Sequence, residues 1–165
     1  MIVDKLLIKL GLGILRLFSG LPMPIIDLLG GGLGFLGYHC IRKRRNVGLV
    51  NLGLCFPEMS EADKKKLILQ HFKELMRSTL CYGWVFYASP NKLRRLIKIR
   101  GLEHYTKIRG KHPVILLAPH FLGLDIGANR LTLETPGYSV YSAQRSAYLN
   151  ERMKAARLRF IKDQG

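Results

Sequence analysis

Acidic side chains are scarce in this sequence. Eleven Asp and Glu stand against 27 Lys and Arg, a formal net charge of +16 over 165 residues. Such an excess leaves polyanions as natural partners: nucleic acid, an anionic membrane surface or an acidic protein. Cysteine is also sparse. Cys40, Cys55 and Cys81 form no C-x-x-C pair and are odd in number, which argues against a disulfide framework or a zinc site. They read as buried or half-buried free thiols in a reducing compartment. A secretory leader is missing its marks, because a single Lys5 precedes the apolar run and no small-x-small cleavage site stands before the charged cluster. No uncharged run is long enough to span a bilayer. The longest near the N-terminus, Leu28 to Ile41, falls short of the roughly 18–20 residues that crossing requires.

What is present is apolar. Hydrophobic residues make up 48% of the chain and the mean hydropathy is +0.07, more apolar than a soluble nucleic-acid binder of this charge. Residues 1–41 are the most apolar and Gly-rich part, broken by Pro22 and Pro24. At about 100° per residue, Lys5, Lys9 and Arg16 fall within roughly 40° of one another. A cationic stripe on a Leu/Ile-rich helix describes an element lying in the membrane interface. A second apolar helix is expected from Ile25 to Tyr38, where Gly30, Gly31, Gly32 and Gly34 permit close packing. Arg42-Lys43-Arg44-Arg45 follows at once and reads as a contact with anionic lipid on the cytoplasmic side. The plain alternatives are two core helices of a soluble domain and a solvated charge run. This divides the chain into membrane-associated helices with a basic flank (1–45) and a second domain (46–165).

In that second domain, Ser60-x-x-Asp63 has the form of a capping box. The helix it opens is expected to run to about Tyr82, with Ile68, Phe72, Leu75, Met76 and Thr79 on one face. A short basic helix follows over Lys92 to Ile97. The last third has an α/β rhythm. Val114 to Ala118 is a continuous apolar run of buried-strand type, then comes a helix from about Leu122 to Leu133. A second strand is expected over Tyr138 to Ser142 and a further helix over Leu149 to Ile161. Strand–helix–strand–helix predicts a mostly parallel sheet with covering helices.

The segment His120-Phe121-Leu122-Gly123-Leu124-Asp125 carries the chemistry. Of the five His, only this one has an acid at that spacing. Residues five apart on one helix point about 140° apart. The two can meet only if His120 sits in the turn before the helix and Asp125 in its first turn. A carboxylate there can fix the imidazole tautomer and stabilise the imidazolium, while the other ring nitrogen takes a proton from a substrate hydroxyl. No Ser or Cys flanks the pair, so direct transfer fits better than a covalent acyl-enzyme. As a bare pattern it also fits a structural histidine after a strand.

Here a resemblance is plain. Asn51-Leu52-Gly53-Leu54-Cys55-Phe56-Pro57-Glu58-Met59-Ser60 resembles the signature stretch of the lipid A biosynthesis late acyltransferases, the lauroyl and myristoyl transferases. His120 and Asp125 match that family's His-x4-Asp/Glu, Pro136-Gly137-Tyr138-Ser139-Val140-Tyr141 its next strand, and Arg157-Leu158-Arg159 an arginine motif in the following helix. The resemblance implies an α/β fold, with N-terminal membrane-associated helices before a partial glycerolipid-acyltransferase-like domain. It implies transfer of a fatty acyl chain from acyl carrier protein to a hydroxyl of a Kdo-bearing lipid A precursor. His120 would be the general base and Asp125 its partner. Arg157, and more weakly Arg159, would bind substrate by holding a phosphate or the developing oxyanion. No metal or cofactor and no nucleic acid is implied. The expected partners are acyl-acyl carrier protein, the lipid A precursor and an anionic membrane surface, at the bacterial inner membrane with the site on the cytoplasmic side.

The sequence departs from the family at Tyr141-Ser142-Ala143 and Ser146-Ala147, where many members have Tyr-Arg-Pro and Asn-Pro; Arg145 is the nearest replacement cation. The family's domain also runs well past Gly165. The chain is therefore expected to be an N-terminal part, inactive or nearly so alone. The rival readings are a glycerol-phosphate or lysophospholipid acyltransferase, an inactive membrane-binding fragment and, third, a nucleic-acid-binding module.

Overall fold

The computed structural model describes residues 2–109, 111–135 and 137–160. Its elements are α1 (Ile2–Gly20), α2 (Met23–Cys40), α3 (Arg42–Cys55), α4 (Glu61–Tyr87), α5 (Pro90–Leu96), α6 (Leu102–Ile108), α7 (Leu124–Leu131) and α8 (Ala147–Leu158). Pro136, Ile161 and the terminal 162–165 lie outside the described residues.

Helix α4 is the trunk. The Ser60 hydroxyl accepts from Asp63 N at 3.1 Å and donates to the Asp63 carboxylate at 2.7 Å, so Ser60 caps the helix as the spacing predicts, with the acid held on the hydroxyl. At about 1.5 Å per residue its 27 residues reach roughly 40 Å, and α1, α2, α3, α7 and α8 all pack against it. Of the face read from the sequence, Ile68 and Phe72 are buried, Leu75 and Met76 half-buried and Thr79 exposed.

Small residues let α1 and α2 approach the trunk at backbone distance. A Cβ on Gly34 would lie 2.3 Å from Lys73 Cα, and one on Gly30 would lie 2.8 Å from Arg77 Cα. Further along α4, a Cβ on Gly83 would meet the Leu15 carbonyl oxygen of α1 at 2.2 Å. Pro22 and Pro24 make the break between α1 and α2: Pro22 is the N-cap of α2, and Pro24 sits in its first turn, where no amide hydrogen bond is lost. The chain then bends by 88° into α3.

The core gathers Ile26 of α2, Leu80, Cys81, Trp84 and Val85 of α4, Ala88, Leu93 of α5, Ile126 of α7, Ala156 of α8 and Phe160. Asn129 ties this layer together, donating from Nδ2 to the Val85 carbonyl at 3.1 Å and to the Ala156 carbonyl at 3.4 Å. Buried polar side chains must be satisfied in this way to be tolerated. Among the cysteines only Cys81 is buried; Cys40 and Cys55 are exposed, contrary to the reading from composition.

The α/β expectation with a mostly parallel sheet is overturned. Among the described residues there is no strand, and the one β-type contact is an isolated bridge between Arg109 and His112. Val114–Ala118 and the Tyr138–Ser142 run are irregular and lie on the surface. Ile115 and Leu117 are 94% and 95% exposed, and Tyr138 and Val140 are fully exposed. An apolar run signals a preference for burial, but a strand exists only when its N–H and C=O groups find a neighbouring ladder. These two runs pair neither with each other nor with another described segment.

Two helices appear where the sequence announces none. Helix α3 occupies the stretch read as a lead-in to Pro57. Gly48 faces the Ile68 side chain, where an added Cβ would come within 2.6 Å, so packing on the trunk rather than amphipathic period selects it. Helix α6 starts from Gly101 in the left-handed region at φ 76°, a backbone state that favours glycine.

Candidate active site

Gly123, with φ 82°, turns the chain into α7 and is its N-cap. His120 therefore lies in the turn before the helix and Asp125 in its first turn, as the spacing requires. The two are not joined, however, and His120 makes no hydrogen bond to Asp125 among the described residues. It is exposed and lines an open cleft of about 580 Å³ with His71, Phe121 and Leu122.

Asp125 points instead into the angle between α4, α7 and α8. Its Oδ1 accepts from Arg157 Nε at 2.9 Å and lies 2.9 Å from Arg157 Nη2. Its Oδ2 accepts from the Tyr82 hydroxyl of α4. Both carboxylate oxygens are thus held, and the two side chains of the ion pair are only 19% and 25% exposed, so the pair is less screened than a surface bridge. The Arg157 guanidinium also sits 5.0 Å from the centre of the Tyr141 ring, within range of a cation–π contact. Burial, followed by the hydrogen bond to Asp125, pushes the Tyr82 phenol well above its ordinary range. Tyr82 is therefore a donor at any physiological pH.

The two arginines of the Arg157-Leu158-Arg159 motif part company. Arg157 reaches the acid. Arg159 turns to the end of α4 and donates to the carbonyls of Trp84, Phe86 and Ala88. Burial lowers the Arg159 pKa. Arg145 is exposed, just before the Ser146 cap of α8. Among the described residues no three His, Cys, Asp or Glu side chains gather as metal ligands.

Neither Tyr82 nor His71 is marked out by the sequence. Tyr82 lies 43 residues from the acid it touches, and in the sequence it marks only the expected end of a helix. His71 had no acid at a catalytic spacing and reaches the cleft only through the course of α4.

Chemically, the arrangement offers an accessible imidazole beside apolar Phe121 and Leu122, and a carboxylate fixed one turn away by a cation and a phenol. This suits proton transfer near an apolar substrate.

Comparison with known proteins places the chain among relatives of one kind. The family model for bacterial lipid A biosynthesis acyltransferases matches residues 2–163. The chain is 34% identical to the lipid A biosynthesis lauroyltransferase of Escherichia coli (strain K12) over 133 residues, 80% of this chain and 44% of the relative. It is 31% identical to a lipid A biosynthesis acyltransferase of Haemophilus influenzae over 156 residues, 93% of this chain and 50% of the relative. The lipid A biosynthesis palmitoleoyltransferase of Escherichia coli (strain K12) is 26% identical over 132 residues, 79% of this chain and 43% of the relative. The chain thus spans about half the length of these curated relatives. No solved structure matches it significantly.

Proposed function

The chain belongs to the bacterial lipid A biosynthesis acyltransferase family, and from that premise we propose that it moves a fatty acyl chain from acyl carrier protein to a hydroxyl of a Kdo-bearing lipid A precursor. The observation that carries this reading is His120 on an open, largely apolar cleft, in the turn that leads directly to a held Asp125.

In the proposed step, His120 takes the proton of the acceptor hydroxyl as its oxygen attacks the thioester carbonyl. A C–O bond forms, the C–S bond breaks, and the proton passes from the imidazolium to the departing thiolate. Asp125 stabilises the imidazolium, which requires the 120–123 turn to bring the ring onto the carboxylate when substrates bind. Arg157 holds Asp125 through Nε and Nη2, and its Nη1 has no partner among the described residues. That edge serves a substrate phosphate or the developing oxyanion.

Attachment to the cytoplasmic face of the inner membrane fits the N-terminal helices. Lys5, Lys9 and Arg16 are exposed on α1 among exposed Leu6, Leu7, Leu10 and Leu17, and α2 adds Leu28 and Leu36. No single described helix is long and apolar enough to cross a membrane. An interfacial mode, with cations toward lipid phosphates and leucines in the acyl region, fits this pattern. The same positive charge attracts an acidic carrier protein.

The test is transfer of a labelled acyl group by the full-length protein. His120→Ala is expected to lower turnover by at least about a thousand-fold, a magnitude typical of losing a general base, with membrane binding kept. Wild-type turnover in that variant would remove His120 from the chemistry. Acylation of glycerol phosphate in place of the lipid A precursor would replace the proposed acceptor.

A further inference from the structure

The cluster around Asp125 contains one polar contact that the proposed chemistry does not yet use. Tyr82 comes from the buried part of α4, flanked by Cys81 of the core and by Gly83, which is buried against α1. Its hydroxyl donates to Asp125 Oδ2, while Arg157 holds Oδ1 from α8. A carboxylate on the first turn of a helix has two soft torsions, and a cation on one oxygen does not fix the rotation of the group. A second donor on the other oxygen, from a different element, does. The phenol suits this task better than another cation would. It stays neutral and protonated, so it orients the acid without adding a positive charge that would oppose formation of an imidazolium nearby.

We infer that Tyr82 is a positioning residue for the acyl transfer, fixing the Asp125 carboxylate in the orientation that the His120 imidazole must meet. This rests on the proposed His120–Asp125 chemistry. Tyr82 acts through Asp125 and touches no substrate. The charged groups facing the acid are accounted for on each packed element: Arg157 from α8 and, from α4, the neutral Tyr82. Tyr141 contributes its ring beneath the arginine.

The experiment is a double-variant cycle in the full-length protein, using acyl carrier protein loaded with a labelled acyl chain. Tyr82→Phe keeps the ring and removes only the donor. It is expected to lower kcat by about ten-fold or more, the loss typical of a hydrogen bond to a charged group, with KM for both substrates within about two-fold. In an Asp125→Asn background the same change should cost less than about two-fold, because the group it positions is already disabled. A purely structural tyrosine would give multiplying losses. Independently of turnover, the ¹³Cζ resonance of Tyr82 in tyrosine-labelled protein should move when Asp125 becomes Asn; this readout stands even if Tyr82→Phe folds poorly. Wild-type kcat in Tyr82→Phe, multiplying losses in the double variant, or an unmoved resonance would each overturn the inference while leaving the His120 reading intact. Absence of transfer by the wild-type protein would overturn that reading first.

Discussion

Arg159 and Trp84 are joined across the end of the trunk helix. Arg159 Nη2 donates to the Trp84 carbonyl at 2.8 Å and to the Ala88 carbonyl at 2.6 Å, and Nη1 donates to the Phe86 carbonyl at 3.1 Å. The last carbonyls of a helix have no partners within it and carry its negative pole. One guanidinium here reaches three carbonyls at that end, of which Trp84's also accepts from the Ala88 amide, and lies 4.2 Å from the centre of the Phe160 ring. The sequence motif alone suggests a substrate ligand; this geometry engages the side chain in joining α8 to α4.

Arg159→Ala is therefore expected to destabilise the fold by about 2–4 kcal/mol, since three charged hydrogen bonds are lost and the Phe86 and Ala88 carbonyls lose their guanidinium donor. Chemical denaturation measures this directly. In the folded fraction, KM for both substrates should be unchanged. A rise in KM at unaltered stability would return Arg159 to substrate binding.

Alkaline pH should loosen the core before it affects the surface. Burial, with a smaller contribution from the charge of Asp27, pushes the Cys81 thiol up to about 11 from an ordinary 9.0. Between those values the folded chain holds more protons than the unfolded one. The stability this contributes is complete below pH 9 and is lost as pH rises toward 11, by about 2–3 kcal/mol in all. The raised Tyr82 phenol acts in the same direction at still higher pH. Urea midpoints at pH 8 and pH 10.5 should fall for the wild type and fall less for Cys81→Ala. Equal slopes in the two proteins would show that the thiol does not titrate with folding.

Binding to anionic vesicles should depend on the stripe of α1. Replacing Lys5, Lys9 and Arg16 together by Gln is expected to weaken binding by roughly 100-fold, at about 1 kcal/mol for each cation near a charged surface. High salt should weaken the wild type only in part, because burial of Leu6, Leu10 and Leu17 is not screened. Vesicle flotation reads both. Undiminished binding by the triple variant would move the lipid contact off this face.

Local chemistry was legible in the sequence and distant partnership was not. The start of α4 at Ser60 and Asp63, the break at Pro22 and Pro24, and the place of Asp125 in the first turn of α7 follow from residues within a few positions of one another. Helix α3 was hidden because its selection comes from Gly48 seating against Ile68, a contact between helices. The strands read at Val114–Ala118 and Tyr138–Ser142 failed for the converse reason: composition states a preference, and pairing needs a second segment. Asp125 with Tyr82 and Arg157 spans 43 and 32 residues, so no spacing rule could have found the arrangement.

Gly83 and Tyr82 are consecutive on α4, yet one receives the backbone of α1 and the other holds the acid. On the proposed interfacial attachment of α1, the crossing at Gly83 becomes a depth gauge. The height of Asp125 above the plane of the phosphates is then set by where two helices touch, with no flexible tether between them. On the same proposal, the acceptor hydroxyl meets the site at that level. A methyl group at Gly83 would meet the Leu15 carbonyl and force α1 away from α4, which on that proposal shifts the height of the acid without changing any residue of the site.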